Sequence, residues 1–480
     1  MSNETLLLTA ILAPTLGAFL LPLMAGSVRL RNGLAVALVC VAMVCSLAMV
    51  PEAMAGRIVA VGHWPQWGVQ AAFQADGLAV FMACVASLVS AVVLLYSLDY
   101  ISHYSHQNEY YLMVVLFLGG MMGLVFSANL LLLYVFWEIT AIASWRLIGF
   151  FREKQHVLRA DKAFLMTGFG AVAMLLGFVS IYAQTGSFDL DVVKDSLQGH
   201  PLPAFAVALI LCGILAKSAT LPFHTWLPDA GVAPSPVTAL LHAAVLVKIG
   251  VYVFARLFIV TFPLSDSWHT AVLVIAALSA LVAAGAALLE TDLKRLIAYS
   301  TVSQIAFIFL GFAVNNEIGI AGALLFILMH GLAKGGLFLC AGIVEQNTGT
   351  KDIRQLGGLI RTMPVTAISF LFCAFSIMGV PPFGGFFSKY LVISGAIQGG
   401  QTWLALTFVA VAFLTLLYLF RVFNMVFLGE AKRAPVAEGS RVMVACVAFL
   451  AFLSLAGGIF IRPCAEFALA AARQMVGVLK

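Results

Sequence analysis

Charge is what this chain has least of. Asp, Glu, Lys and Arg together make up 10% of the 480 residues, whereas 62% are hydrophobic and the mean hydropathy is +1.06. So small a charged fraction cannot cover a chain of this length with polar surface, which excludes a soluble globular protein. The eight cysteines are scattered through or beside apolar runs. The closest pair, Cys40 and Cys45, is not a CxxC, and no CxxCH occurs. That argues against structural zinc, iron–sulfur clusters, attached haem and a disulfide framework. No phosphate-binding glycine loop is present. The GxG-type glycines sit inside apolar stretches, where they permit close helix packing. No linker or low-complexity run interrupts the chain, and its longest hydrophilic stretches are 51–76 and 185–202. No cofactor, metal or nucleic-acid partner is expected; the formal charge of +5 follows the loops.

What is present is a succession of apolar runs, each near the roughly 20 residues needed to cross a bilayer. Fourteen are expected: 5–25, 33–50, 77–98, 111–127, 129–150, 163–184, 203–221, 236–258, 269–289, 295–314, 319–344, 362–396 (broken), 402–428 and 441–461. The stretch 222–235 reads as the continuation of a broken seventh span. The fold class is therefore an all-α polytopic membrane protein forming a single membrane domain over 1–480. Leu6–Met24 reads as a first membrane helix rather than a cleaved signal, because Glu4 and no basic residue precede it. Basic residues concentrate in alternate loops, among them Arg29, Arg31, Arg152, Lys154, Lys294, Arg295, Lys351, Arg354 and Lys432. The positive-inside bias makes that side cytoplasmic and puts both termini outside, in a cell inner membrane crossed many times.

Two spans are interrupted beside a lysine. Pro222 follows Lys217 in AFAVALILCGILAKSATLPFHTWLP, and Pro381-Pro382 precede Lys389 in AISFLFCAFSIMGVPPFGGFFSKYLVIS. Proline removes a backbone donor. In lipid the freed groups are tolerated only where protein or a wet cavity satisfies them. One such segment in each half of a chain points to a transporter built from inverted repeats.

Other ionisable groups lie inside apolar runs. Glu138 is in LLLLYVFWEITAIASW, His242 and Lys248 are in PVTALLHAAVLVKIGVYVF, and His330 and Lys334 are one turn apart in LLFILMHGLAKGGLFL. A charge at mid-bilayer costs about 2.5–3.5 kcal/mol on insertion scales. Each group has a structural reading. A lysine near a helix end snorkels to the interface, and a lone membrane histidine commonly bonds a neighbouring helix. Lys248, far from both ends of its span, is badly placed to snorkel. Five costly groups on five helices, Glu138, Lys217, Lys248, Lys334 and Lys389, imply a hydrated file facing the bundle interior. A carboxylate beside Lys217 would hold it charged, and opening the pair would favour release of its proton. Histidines pass protons between such sites. These are the parts of a proton pump or an ion/proton antiporter with no redox chemistry of its own. An organic-solute carrier would need a binding pocket, and a haem- or quinone-binding protein would need His242 and His330 oriented as ligands.

Four ordered blocks carry a resemblance: AKSATLPFHTWLPDAGVAPSPVTALLHAAVLVKIGVYVFAR, DLKRLIAYSTVSQIAFIFLG, HGLAKGGLFLCAGIVEQNTGTKDIRQLGG and GVPPFGGFFSKY. Together, over roughly residues 75–430, they resemble the Mrp-antiporter-like membrane subunits. That family includes the large membrane subunits of respiratory complex I, Mrp cation/proton antiporters and group 4 energy-converting hydrogenases. The resemblance implies fourteen helices, with helices 4–8 and 9–13 as inverted five-helix repeats and helices 7 and 12 broken. On this chain the implied division is 1–110 for helices 1–3, 111–258 and 269–428 for the repeats, and 441–480 for a last helix and short tail. It implies Glu138 and Lys217 as a coupled pair, and Lys248, His330, Lys334 and Lys389, with His242, as the proton path. Partners implied are other membrane subunits of a complex I-like, hydrogenase or Mrp assembly, with protons and Na+ as the ions. The chain ends about 20 residues after its fourteenth helix, without the lateral helix of complex I's distal member. YYLMVVLFLGGMMGLVFSANLL, FWEITAIASW and YAQTGSFDL are similar to the hydrogenase-4 branch of the family, of formate hydrogenlyase type. The large subunit of an Mrp-type Na+/H+ antiporter is the alternative, sharing the PPFxGFFxK block.

One residue departs from that pattern. Arg146, eight residues after Glu138 and so on a similar face, stands where many relatives are apolar. It reads either as a snorkelling arginine or as a second partner for a carboxylate at the entrance or at a neighbouring subunit. Gly119, Gly120 and Gly123 likewise read either as a face for a neighbouring chain or as close packing inside the bundle.

Overall fold

The computed structural model describes residues 2–62, 72–197 and 201–477. Twelve helices among them are long and apolar enough to cross a membrane. Their helical cores are α1 (Asn3–Gly17), α2 (Val28–Ala48), α3 (Gly77–Tyr100), α4 (Gln107–Phe126), α5 (Leu130–Ile148), α6 (Lys154–Thr185), α8 (Ser235–Thr261), α9 (Asp266–Leu289), α10 (Leu293–Ala313), α11 (Glu317–Thr348), α13 (Thr402–Phe427) and α14 (Arg441–Ile459). Two shorter apolar helices complete fourteen spans by continuing past a break. One is α7 (Ala204–Lys217), followed after the break by a single turn, Trp226–Asp229. The other is α12, split into α12a (Pro364–Met378) and α12b (Gly384–Gln398). Both breaks carry a cis X-Pro bond, Leu221-Pro222 and Pro381-Pro382.

The two repeats are built alike. α6 and α11 are each 32 residues long. Each ends on a threonine followed by a glycine at positive φ, Gly186 and Gly349, where the helix closes in the left-handed conformation that glycine adopts without strain. The chain then reads Thr185-Gly186-Ser187-Phe188-Asp189 in one repeat and Thr348-Gly349-Thr350-Lys351-Asp352 in the other. Asp189 bridges Asn129, and Asp352 bridges Asp292. Leu130 and Leu293, which open α5 and α10, donate their amides to Phe188 and Lys351, both at 2.8 Å. The matched residues keep a constant spacing in sequence. Five spans separate α5 from α10, so these equivalent junctions lie on opposite faces of the membrane. That is the geometry of an inverted repeat.

The long central helices are the most enclosed. Of their most apolar stretches, 94% of α8, α10 and α11 is buried, against 33% of α13 and 33% of α1. α11 runs through the middle of the molecule and packs on α3, α8, α10, α12 and α14. Gly119 meets Thr15 of α1, Gly120 meets Thr140 of α5, and Gly123 meets Phe136 of α5, each closer than a Cβ would tolerate. These glycines are packed inside the bundle, and the reading as a face for another chain fails.

Two elements depart from the sequence reading. A short antiparallel hairpin, β1 (Val59–Val61) and β2 (Phe73–Ala75), lies between α2 and α3. The expected short tail is a further helix, α15 (Ile461–Gly477), whose Ala468, Ala471, Ala472 and Met475 are buried against α3 and α11. Its charged residues occupy the other face, so an apolar-run search passes over it.

Candidate functional site

Each break leaves backbone groups that need partners in the absence of water. At the first, Trp226 Nε1 donates to the carbonyl of Ala216 at 2.9 Å, and the amide of Leu221 donates to Ser279 Oγ at 3.1 Å. At the second, the carbonyl of Ile377 accepts Lys389 Nζ at 2.7 Å. The same ammonium lies 4.6 Å from the ring centre of Phe307 and 5.6 Å from that of Phe326. A desolvated cation over aromatic faces is attracted by about 2 kcal/mol or more. So Lys389 both closes the break and sits where α10, α11 and α12 meet.

Lys217 is fully buried. Its Nζ donates to the carbonyl of Trp137 at 3.2 Å and lies 5.0 Å from the Trp137 ring centre. Glu138 is next in sequence and acts on Lys217 electrostatically. Its carboxylate makes no direct ion pair with Lys217, and one oxygen has no hydrogen-bond partner among the described residues. The expected pair is therefore not in direct contact, and the ammonium takes the Trp137 carbonyl instead.

Lys248 owes its position to a widened turn. Leu240–Ala244 is π-helical, and Val245 leaves helical geometry before the helix resumes at Leu246. π-turns inside α-helices commonly mark functional sites. The Lys248 ammonium takes the carbonyl of Ala243 at the end of that turn and the carbonyl of Ile327 in α11 at 2.8 Å. A Cβ on Gly331 would stand 2.7 Å from Nζ, so glycine there makes room for the ammonium.

His330 and Lys334 share one face of α11. Lys334 Nζ donates to Ser300 Oγ at 2.7 Å and to the Ile297 carbonyl at 3.0 Å, both in α10. Ser300 continues to the hydroxyl of Tyr418 at 2.8 Å. His330 is surrounded by ionisable groups and is coupled electrostatically to Lys248, Lys334, His242 and Lys389. The His242 ring lies tilted against Phe338, at 4.4 Å between ring centres. Both ring nitrogens of His242 and of His330 are buried without a hydrogen-bond partner among the described residues. Buried imidazole nitrogens left unpaired are costly.

The seven sequence candidates thus form two groups. Lys248, His242, His330, Lys334 and Lys389 converge around α11. Glu138 and Lys217 form a second centre in the first repeat, joined through the packing of α7 on α8. Arg146 is bound to Glu109 on α4, as is Arg152, which is the carboxylate-partner reading. Basic residues that the sequence reading counted with the loops stand within α6 and α10 and form ion pairs. Lys162 and Arg295 hold Asp229 at 2.7 and 2.6 Å, and Lys294 holds Glu345 at 3.0 Å and the Ala233 carbonyl at 2.7 Å. These pairs pin the first break to α6, α10 and α11. Sequence reasoning missed Arg256 and Asp76, a buried pair at the far end of α8. Their only signal was an arginine at the close of an apolar run.

Comparisons with known proteins agree with this architecture. A family model described as NADH:quinone oxidoreductase/Mrp antiporter, TM, matches residues 127–415. A second, NADH-Ubiquinone oxidoreductase (complex I), chain 5 N-terminus, matches residues 64–111. The chain is 38% identical over 356 residues to an Na(+)/H(+) antiporter subunit of Alkalihalophilus pseudofirmus, covering 70% of this chain and 44% of that protein. It is 35% identical over 370 residues to a probable K(+)/H(+) antiporter subunit of Rhizobium meliloti, covering 76% of this chain and 37% of that protein. The chain therefore spans less than half the length of either relative. Among solved structures, a chain of the Mrp complex from Dietzia sp. superposes with a TM-score of 0.91 at 24% identity, covering 99% of this chain and 98% of that one. At that identity the likeness speaks for the fold alone.

Proposed function

The chain belongs to the NADH:quinone oxidoreductase/Mrp antiporter family of membrane subunits, and from that premise we propose that it translocates protons in exchange for a monovalent cation within a multi-subunit membrane assembly of the Mrp antiporter type. The observation that carries the proposal is the buried group of three lysines and two histidines around α11, whose four imidazole nitrogens have no hydrogen-bond partner among the described residues. Such a set of titratable groups is suited to exchanging protons.

In this reading Lys217 is the switching lysine, tuned by Glu138, and Lys248, His330, Lys334, Lys389 and His242 pass the proton laterally. Opening or closing the gap between Glu138 and Lys217 changes how strongly the lysine holds its proton. The names of the curated relatives favour the Mrp-type branch over the hydrogenase-4 branch that the sequence blocks suggested. They name both Na+ and K+ as exchanged cations. The partners in this reading are the other membrane subunits of that assembly, and the location is a bacterial inner membrane with both termini outside.

The test is reconstitution of the native assembly in liposomes with a pH-sensitive dye inside. Proton movement driven by a Na+ or K+ gradient is expected with the assembly and not with this chain alone. Proton movement by the purified chain alone would replace the multi-chain reading with an autonomous antiporter.

A further inference from the structure

On the membrane face that carries both termini, a cavity of about 60 Å³ lies between the hairpin, the outer end of α8, the short helix Leu190–Ser196 and α15. Its rim holds Ile58, Asp191 and Lys194, and its floor is the Asp76–Arg256 pair. The volume holds several water molecules. Arg256 is 1% exposed and grips both carboxylate oxygens of Asp76, at 2.5 and 2.8 Å. A buried pair that served only to anchor α8 to the start of α3 would gain nothing from a polar space beside it; well-packed apolar residues usually serve as well or better.

The floor of the cavity connects to the interior. Arg256 Nε donates to the hydroxyl of Tyr252 at 3.0 Å, and that hydroxyl donates to the Val125 carbonyl at 2.5 Å. Tyr252 is four residues after Lys248 and four before Arg256, so the three share one face of α8. A polar stripe therefore runs from the mid-span ammonium to the cavity, through a stretch, 249–255, whose other residues are apolar. At the rim, partial burial and the neighbouring carboxylates Asp189 and Asp195 push the Asp191 carboxyl up, against Lys194 and Arg256. A surface carboxyl so placed collects protons closer to neutral pH than an ordinary aspartate.

We infer that this cavity is the mouth, on the face carrying the termini, through which protons pass between the aqueous phase and the Lys248–His330 group, with the Asp76–Arg256 pair as its closure. The guanidinium keeps its charge throughout. Protons move over carboxyl and hydroxyl oxygens, and the pair blocks the way until it parts. The inference rests on the proton-translocation reading above and adds a place of access in the first repeat.

The test uses the complete assembly in liposomes, carrying Ile58→Cys or Val260→Cys, two positions on the cavity wall. A membrane-impermeant, sulfonated thiol reagent is added to the face with the termini. Each variant is compared with its own untreated preparation, and the parent with its eight cysteines is treated alike. Modification is expected to slow proton movement several-fold in the variants and not in the parent. Complete modification, verified by mass, with an unchanged rate at both positions would overturn the mouth. Lys217→Ala separates the two readings. If it stops proton movement while modified variants run at full rate, translocation stands and the mouth falls. If it too runs at full rate, the translocation reading falls with it.

Discussion

Lys248 Nζ donates to the carbonyl of Ile327 at 2.8 Å, so a lysine of the first repeat is held by the backbone of the second. Ile327 lies one turn before His330 on α11. Any motion that changes the approach of α8 to α11 therefore changes both what holds the lysine and how far it lies from the histidine. This bond is the structural link between the two halves of the proposed path.

Gly331 is the first test of that link. A Cβ there would come within 2.7 Å of the Lys248 ammonium and 3.2 Å of the Ala243 carbonyl. Gly331→Val is expected to displace the ammonium and slow cation-driven proton movement by about tenfold or more, equivalent to at least 1.4 kcal/mol on the barrier. Dye-based rates in liposomes, with the content of every chain checked on gels, measure this. Wild-type rates with the assembly intact would show that the Lys248–Ile327 contact is not used.

Glu138 and Lys217 should not be equal in effect. Glu138→Gln removes the charge that tunes the lysine but leaves the lysine in place. It is expected to impair proton movement no more than Lys217→Ala does, in the same assay. A glutamine variant more defective than the alanine variant would place Glu138, not Lys217, at the centre.

Lys389 closes a break and lies over two phenylalanine rings. Lys389→Met keeps the bulk but leaves the Ile377 carbonyl without its donor, at a cost of about 1–3 kcal/mol. Lower proton movement with all subunits still present is the expected result. A loss of assembly, seen as missing subunits after mild detergent extraction, would make the lysine a structural clamp only.

Arg256→Met leaves Asp76 buried without its partner, and removing one member of a buried pair costs about 3–5 kcal/mol. Thermal unfolding of the extracted assembly should begin at lower temperature in Arg256→Met than in the double variant Arg256→Met/Asp76→Asn, which leaves no unpaired charge. Equal stability of the two would mean that Asp76 finds another partner.

Most of the fold was legible in the sequence because the bilayer demands it. Apolar runs marked the spans, and the prolines beside Lys217 and Lys389 marked both breaks. The ionisable residues in apolar runs stood out because lipid makes them costly. Other features left no such mark. α15 is amphipathic, so its buried alanines never form an apolar run of spanning length. The widened turn before Lys248 has no sequence signature in ALLHAAVLVK, since nothing there is a helix breaker. The gap between Glu138 and Lys217 was hidden for another reason. The resemblance implied the coupling, but whether a carboxylate or a backbone carbonyl reaches the lysine depends on how α5 and α7 pack. Arg256 carries no mark of its role in the sequence, because its partner stands 180 residues away.

The central claim is that Lys217 switches proton movement. The most direct measurement is proton uptake by liposomes carrying the intact assembly, driven by an imposed cation gradient, with wild-type protein or Lys217→Ala. Loss of coupled proton movement with every subunit retained is the predicted result. Wild-type stoichiometry in the alanine variant would contradict it.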